Sequence, residues 1–106
     1  MNYWNVEFSD EAVKDRDKLD HIQRSQVDKA IRKVSCNPLP KSEGGYGIPL
    51  GHLHSKNLTG LCEIKLKRLG IRVIYRIVHY REVMKIIVIA ARVDEEVYDI
   101  ATKRTG

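Results

Sequence analysis

Five cations, Lys65, Lys67, Arg68, Arg72 and Arg76, stand among the fifteen residues EIKLKRLGIRVIYRI, Glu63 to Ile77, with Glu63 as the one acid. Scattered charge of mixed sign is enough to solvate a surface, so this excess points to an anionic ligand, and phosphate suits both lysine and arginine. The segment reads as two strands around a turn at Arg68–Gly70. Glu63, Lys65 and Lys67 fall on one face of the first strand, with Cys62, Ile64 and Leu66 on the other. Arg72, Ile74 and Arg76 share one face of the second, with Ile71, Val73, Tyr75 and Ile77 opposite. Burying both apolar sets on one side sends Lys65, Arg72 and Arg76 together to the other, a face expected to receive no helix. A tight two-residue loop then sets Lys65 directly across from Arg72. Like charges so placed destabilise a sheet, and a bound phosphate would relieve them. A bulged turn at Gly70 would shift the register by one, which the apolar pattern opposes. The alternative is a solvated face on which the two cations splay apart.

The elements that must hold this hairpin follow from periodicity. Trp4, Val6 and Phe8 alternate with Asn5 and Glu7, a half-buried strand. Ser9 can cap a short helix to about Leu19, with Asp10 and Glu11 suited to its first turn. Asp20-His21 is the expected break before a second helix from Ile22 to Val34, whose stripe is Val27, Ala30, Ile31 and Val34. Residues 35–57 contain all three prolines and four of the glycines and read as a long loop, shortened only if a helix forms around His52. Strands are expected over 60–67, 71–80 and 83–92, antiparallel because their turns are short. The last, VMKIIVIAAR, is apolar on both faces and is expected to be central and covered on both sides. Asp94 can cap a final helix from Glu95 to about Arg104. The order is β-α-α-β-β-β-α. This predicts an α+β fold: a small antiparallel sheet, an N-terminal helical hairpin packed on one face, and a short C-terminal helix.

Composition narrows the function classes. The chain has 106 residues, 42% hydrophobic and 31% charged, and fits one domain spanning 1–106. Its net charge is +5 and its pI about 9.3, a balance that favours a polyanionic partner, although charge alone does not exclude a merely basic solvated surface. No stretch is apolar for long enough to span a membrane. MNYWNVEF carries no basic and hydrophobic leader signal, which implies the cytoplasm. Cys36 and Cys62 have no metal-ligand spacing, and Cys62 is expected as a buried free thiol. His52 and His54 stand alone without a third ligand, so no metal or other cofactor is expected. Gly44-Gly45-Tyr46-Gly47 lacks the strand–helix context of a phosphate loop.

The stretch LTGLCEIKLKRLGIRVIYRI, followed by ARVDEEVY, resembles the second half of RelE-type toxins of the RelE/ParE superfamily. FSDEAVKDRDKL, a second helix and the following Asn-Pro agree with the first half. The resemblance implies a microbial-ribonuclease-like fold and a toxin of a type II toxin–antitoxin module that cleaves messenger RNA in the ribosomal A site. By motif position it carries four functional residues: Lys65, Arg72 after the turn glycine, Arg92 at the end of the last strand, and Tyr98 of E-V-Y. Lys67, Arg68 and Arg76 are then candidate RNA-binding residues. One departure stands out, because Glu63 replaces the first lysine of the family's K-I-K-L strand, which removes a cation or adds a candidate base.

The chemistry implied is attack of a ribose 2′-OH on the adjacent phosphorus. It needs a base, stabilisation of added negative charge, and an acid for the leaving 5′-oxygen. On this view Lys65 handles a proton, Arg72 and Arg92 hold the phosphate, and Tyr98 stacks on a base or positions the 2′-OH. Each also has a plainer role. Lys65 and Arg76 can be solvated, Arg92 can close a strand, and Tyr98 lies beside the stripe of Val97, Ile100 and Ala101. Tyr75, on the apolar face, is expected in the core. Two further functions remain open: a ParE-like inhibitor of DNA gyrase, and a degenerate toxin that only binds antitoxin or RNA. All imply an acidic cognate antitoxin as partner, with operator DNA reached only through it.

Overall fold

The computed structural model describes residues 3–53 and 56–106. Strand β1, Asn5–Phe8, leads into α1, Asp10–Asp17, and α2, His21–Ser35. Four strands follow: β2, Ile48–Leu53; β3, Lys56–Leu66; β4, Ile71–Val78; and β5, Val83–Ala90. Helix α3, Asp94–Thr105, closes the chain.

Each helix of the hairpin starts where a side chain can take an orphan backbone N–H. Ser9 Oγ accepts from Ala12 N at 3.1 Å at the head of α1. Asp20 is more than a break: it caps α2 by accepting from Gln23 N at 2.8 Å, while the Gln23 side chain accepts from Asp20 N at 3.0 Å.

The sheet order is β1-β5-β4-β3-β2. Its pairs are antiparallel except β1 with β5, which run parallel, so the all-antiparallel expectation is corrected at that edge. One face packs Ala12, Val27, Ile31 and Val34 of the hairpin against Cys62, Val73, Tyr75, Met84 and Ile86. The other face, expected bare, receives α3, whose Val97, Tyr98 and Ala101 pack on Leu58, Leu61, Ile74 and Val88. The reason is legible in β5. Its apolar residues face both ways, helped by a register shift opposite Ile74/Tyr75, and only a cover on each side removes both sets from water.

The expected loop over 35–57 is largely ordered structure instead. A 3₁₀ turn at Lys41–Glu43 and β2 occupy it, and His52 lies in β2 rather than in a helix. Pro49 is tolerated there because β2 is the sheet's edge, where an absent N–H costs no ladder bond. The segment before it is pinned to the core by Tyr75, whose buried hydroxyl donates to Pro38 O at 2.7 Å.

Candidate nucleic-acid interface

Lys65 and Arg72 are direct cross-strand partners on β3 and β4. Gly70 N donates to Lys67 O at 3.3 Å across a tight turn, and Gly70 takes the left-handed φ of 65° that the turn demands. The register is therefore the one that buries the apolar set.

What relieves the repulsion is a residue of the chain itself. Asp94 Oδ1 accepts from Arg72 Nε, and Asp94 Oδ2 accepts from Lys65 Nζ at 3.2 Å. The expected N-cap role for Asp94 is corrected, because Val93 holds that position without a side-chain bond. Asp94 sits one residue inside α3, where its carboxylate is free to reach the cations. Burial pushes this carboxyl up, but the hydrogen bonds and charges of Arg72 and Lys65 outweigh it, and the net shift is downward. Arg72 also donates from Nη1 to Arg92 O at 2.8 Å and to Gly70 O at 3.4 Å. One guanidinium thus ties the hairpin turn to the segment between β5 and α3.

Beneath this cluster lies Glu63, fully buried. Tyr98 donates its hydroxyl to Glu63 Oε1 at 3.0 Å, and Lys65 Nζ stands 3.9 Å from the same oxygen. Glu63 Oε2 is buried with no hydrogen-bond partner among the described residues. Burial pushes the Glu63 carboxyl up, against the Tyr98 hydrogen bond. The Tyr98 phenol is also pushed up, first by burial and then by Glu63.

The expected residues therefore separate. Lys65, Lys67 and Arg72 line one cavity of about 280 Å³ with Leu66, Gly70 and Ile71. Arg68 lies at the hairpin tip beside Ile22 and Leu69. Arg92 reaches the cluster by its carbonyl; its side chain is exposed and stands 3.7 Å from Glu96. Arg76 lies outside the cluster, paired across from Lys85 and lining a hollow with Glu7 and Arg104. Tyr98 is only 3% exposed, so stacking on a base, which needs an open ring face, is corrected for this conformation. Glu63 as a base touching substrate fails for the same reason. Tyr75 is in the core as expected.

Two carboxylate placements escaped the sequence reading. Asp94 gave a helix-start signal that hid its ionic role. The Glu63–Tyr98 pair joins residues far apart in sequence, and the one clue was an acid in a strand rich in lysine. Cys62 is a buried free thiol pushed up to about 11 by burial. No group of three potential metal ligands occurs among the described residues, and His54 lies outside them. None of the described helices is long and apolar enough to cross a membrane.

No family model matches the chain. A protein of Escherichia coli described as a RelE-like toxin is 26% identical over 104 residues, covering 95% of this chain and 96% of that protein. Among solved structures, a doubly substituted E. coli toxin RelE in the free state is 24% identical with a TM-score of 0.74, covering 97% of this chain and 98% of that one. The toxin–antitoxin complex RelBE2 of Mycobacterium tuberculosis matches at 25% identity and a TM-score of 0.69, over 89% of this chain and 97% of that one. In sequence and in fold, this chain is similar to RelE-type toxins.

Proposed function

We propose that the protein is the toxin of a type II toxin–antitoxin module and a ribosome-dependent endoribonuclease of messenger RNA. The observation that carries this is the direct pairing of Lys65 with Arg72, held in register by a tight turn and bordered by Lys67. Such a pair is unfavourable unless an anion joins it. Asp94 supplies that anion in the structure, and this reading assigns a scissile phosphodiester to take its place.

The reaction divides among the residues. The ribose 2′-oxygen attacks the adjacent phosphorus while its proton leaves to a base, and Lys65, directly across from Arg72, is the residue this reading assigns to handle a proton. Arg72 meets the charge that grows on the phosphoryl oxygens, a preorganised contact of the kind that contributes most to such steps. The P–O5′ bond breaks, the 5′-oxygen takes a proton from water, and a 2′,3′-cyclic phosphate remains. Arg92 reaches the phosphate by turning its exposed side chain away from Glu96. Tyr98 acts from below, holding Glu63 next to Lys65. Lys67 and Arg68, at the tip, meet flanking phosphates, and Arg76 lies on a separate patch.

Solved structures similar to this chain include a doubly substituted E. coli RelE with an antitoxin RelBc peptide and the RelBE2 toxin–antitoxin complex. On that ground the partner of this chain is a cognate antitoxin, acidic enough to meet a +5 protein, with operator DNA reached through it.

One observation favours a second reading, a toxin that binds without cutting: two carboxylates, Glu63 and Asp94, stand among the catalytic candidates. Primer extension on ribosomes programmed with defined mRNA separates the two. The parent protein should cut at the A-site codon and leave naked RNA intact, and Arg72→Ala should lower the cleavage rate at least 100-fold, the scale of losing one transition-state contact. An unchanged rate in Arg72→Ala would remove that residue's role. No cuts from folded parent protein would transfer the function to binding alone or to gyrase inhibition.

A further inference from the structure

Lys65 Nζ and Arg72 Nε, two of the donors that the proposed reaction needs, already face a carboxylate. The two oxygens of Asp94 are divided between them, one on Arg72 Nε and one on Lys65 Nζ. A phosphodiester also presents two equivalent anionic oxygens, so Asp94 occupies the place of the substrate's charge. We propose that Asp94 is a resident anion which RNA must displace, and that it decides which RNA the site accepts. This rests on the reading of the face as an RNA site.

The arrangement allows exchange. The Asp94 side chain keeps 32% of its surface exposed, and the residues before it, Arg92 and Val93, are exposed. The contact can open by rotation of one side chain, without unpacking Val97 and Ala101 from the sheet. The carboxylate is tethered to the same fold, so it competes at the high effective concentration of an intramolecular ligand. A short RNA that offers only one phosphate competes poorly. An RNA held in place by other contacts, as a codon on a ribosome is, competes at an effective concentration of its own. The affinity of the site is reduced by the fraction of molecules in which Asp94 is turned away. Asp94 is thus a specificity-determining residue that selects anchored over free RNA.

The test is binding of a labelled, fully 2′-O-methylated hexanucleotide, which cannot be cleaved, measured by fluorescence anisotropy at fixed salt. Asp94→Asn and Asp94→Ala should bind about 10-fold tighter or more, as expected if the open fraction is a tenth or less. Asp99→Asn removes the same charge from the same helix at a residue whose carboxylate pairs with Lys56, and it should change affinity by less than about 2-fold. Affinities for the Asp94 variants no tighter than for Asp99→Asn would overturn the proposal.

A measurement on the parent protein guards against misfolded variants. The side-chain carboxyl ¹³C resonance of Asp94 should move as the hexanucleotide is added, together with Arg72 Nε–H. Movement of Arg72 with a stationary Asp94 signal means phosphate binds beside the carboxylate and refutes displacement. Failure of the enzymatic reading looks different: the Asp94 variants tighten RNA binding, yet no variant cuts on ribosomes.

Discussion

Glu63 is a carboxylate with little access to water, and its shift has a thermodynamic sign that can be worked out. Its folded-state pKa lies above the unfolded value of about 4.3. Between those two values the folded chain holds a proton that the unfolded chain has lost, so stability falls as pH rises through the interval and levels off above it. Glu63→Gln abolishes this dependence while keeping an acceptor for Tyr98. Urea midpoints at about pH 4 and about pH 8 should show the variant gaining on the parent with rising pH. Equal pH slopes in the two proteins would mean that Glu63 is no more proton-hungry folded than unfolded. Asp94 has the opposite sign. Its depressed pKa keeps it charged, and its ionic contribution to the fold is lost only as pH falls through a value below the ordinary carboxylate range. Mild acid should therefore leave the Lys65–Asp94–Arg72 contact closed.

At the scale of elements, the segment before β2 leaves little room for added volume. Gly47 packs where a Cβ would lie 2.3 Å from the Tyr75 hydroxyl and 3.0 Å from Pro38 O. Gly47→Ala must break the Tyr75–Pro38 bond or push the segment off the core. It should cost about 1–3 kcal/mol in chemical denaturation, the usual scale of overpacking. A cost within about 0.5 kcal/mol would show that this segment yields easily. What was legible in sequence divides along the same line. The strands β3 and β4 announced themselves by alternation and β5 by its apolar run, and the Lys65–Arg72 register followed from the apolar set alone. Segment 36–53 did not, because Pro49 and the glycines spoke for a loop, and only the presence of β3 beside it makes an edge strand worthwhile. Helix α3 was legible as a helix, but its docking face was not. The charge on the sheet suggested an open face, whereas the two-sided apolarity of β5 demanded a cover. The candidate site was half legible for a related reason: cations were visible by type, while the carboxylates that join them are contacts between distant elements.

At the scale of the whole molecule, the Lys65–Arg72 cluster and Arg76 belong to separate patches of one basic surface. The parallel pairing of β1 with β5 joins the two ends of the sequence, Asn5 with Val83 and Phe8 with Ile86. Contacts so far apart in sequence are late and slow to form. Trp4, the only tryptophan, borders β1 and meets His79 edge-on at 6.3 Å between ring centroids. In stopped-flow refolding its fluorescence should lag the far-ultraviolet signal of the helices. Coincident phases would show that the β1 edge forms with the rest of the fold.

The same pairing dictates an order of events during synthesis. A chain emerging from the ribosome can build the β3–β4 hairpin, with Lys65 and Arg72 facing one another, before β5 exists to receive β1. Asp94 emerges later still. For that interval the nascent chain carries its most cationic feature bare, beside the polyanionic ribosome, and its own counter-ion is among the last parts delivered.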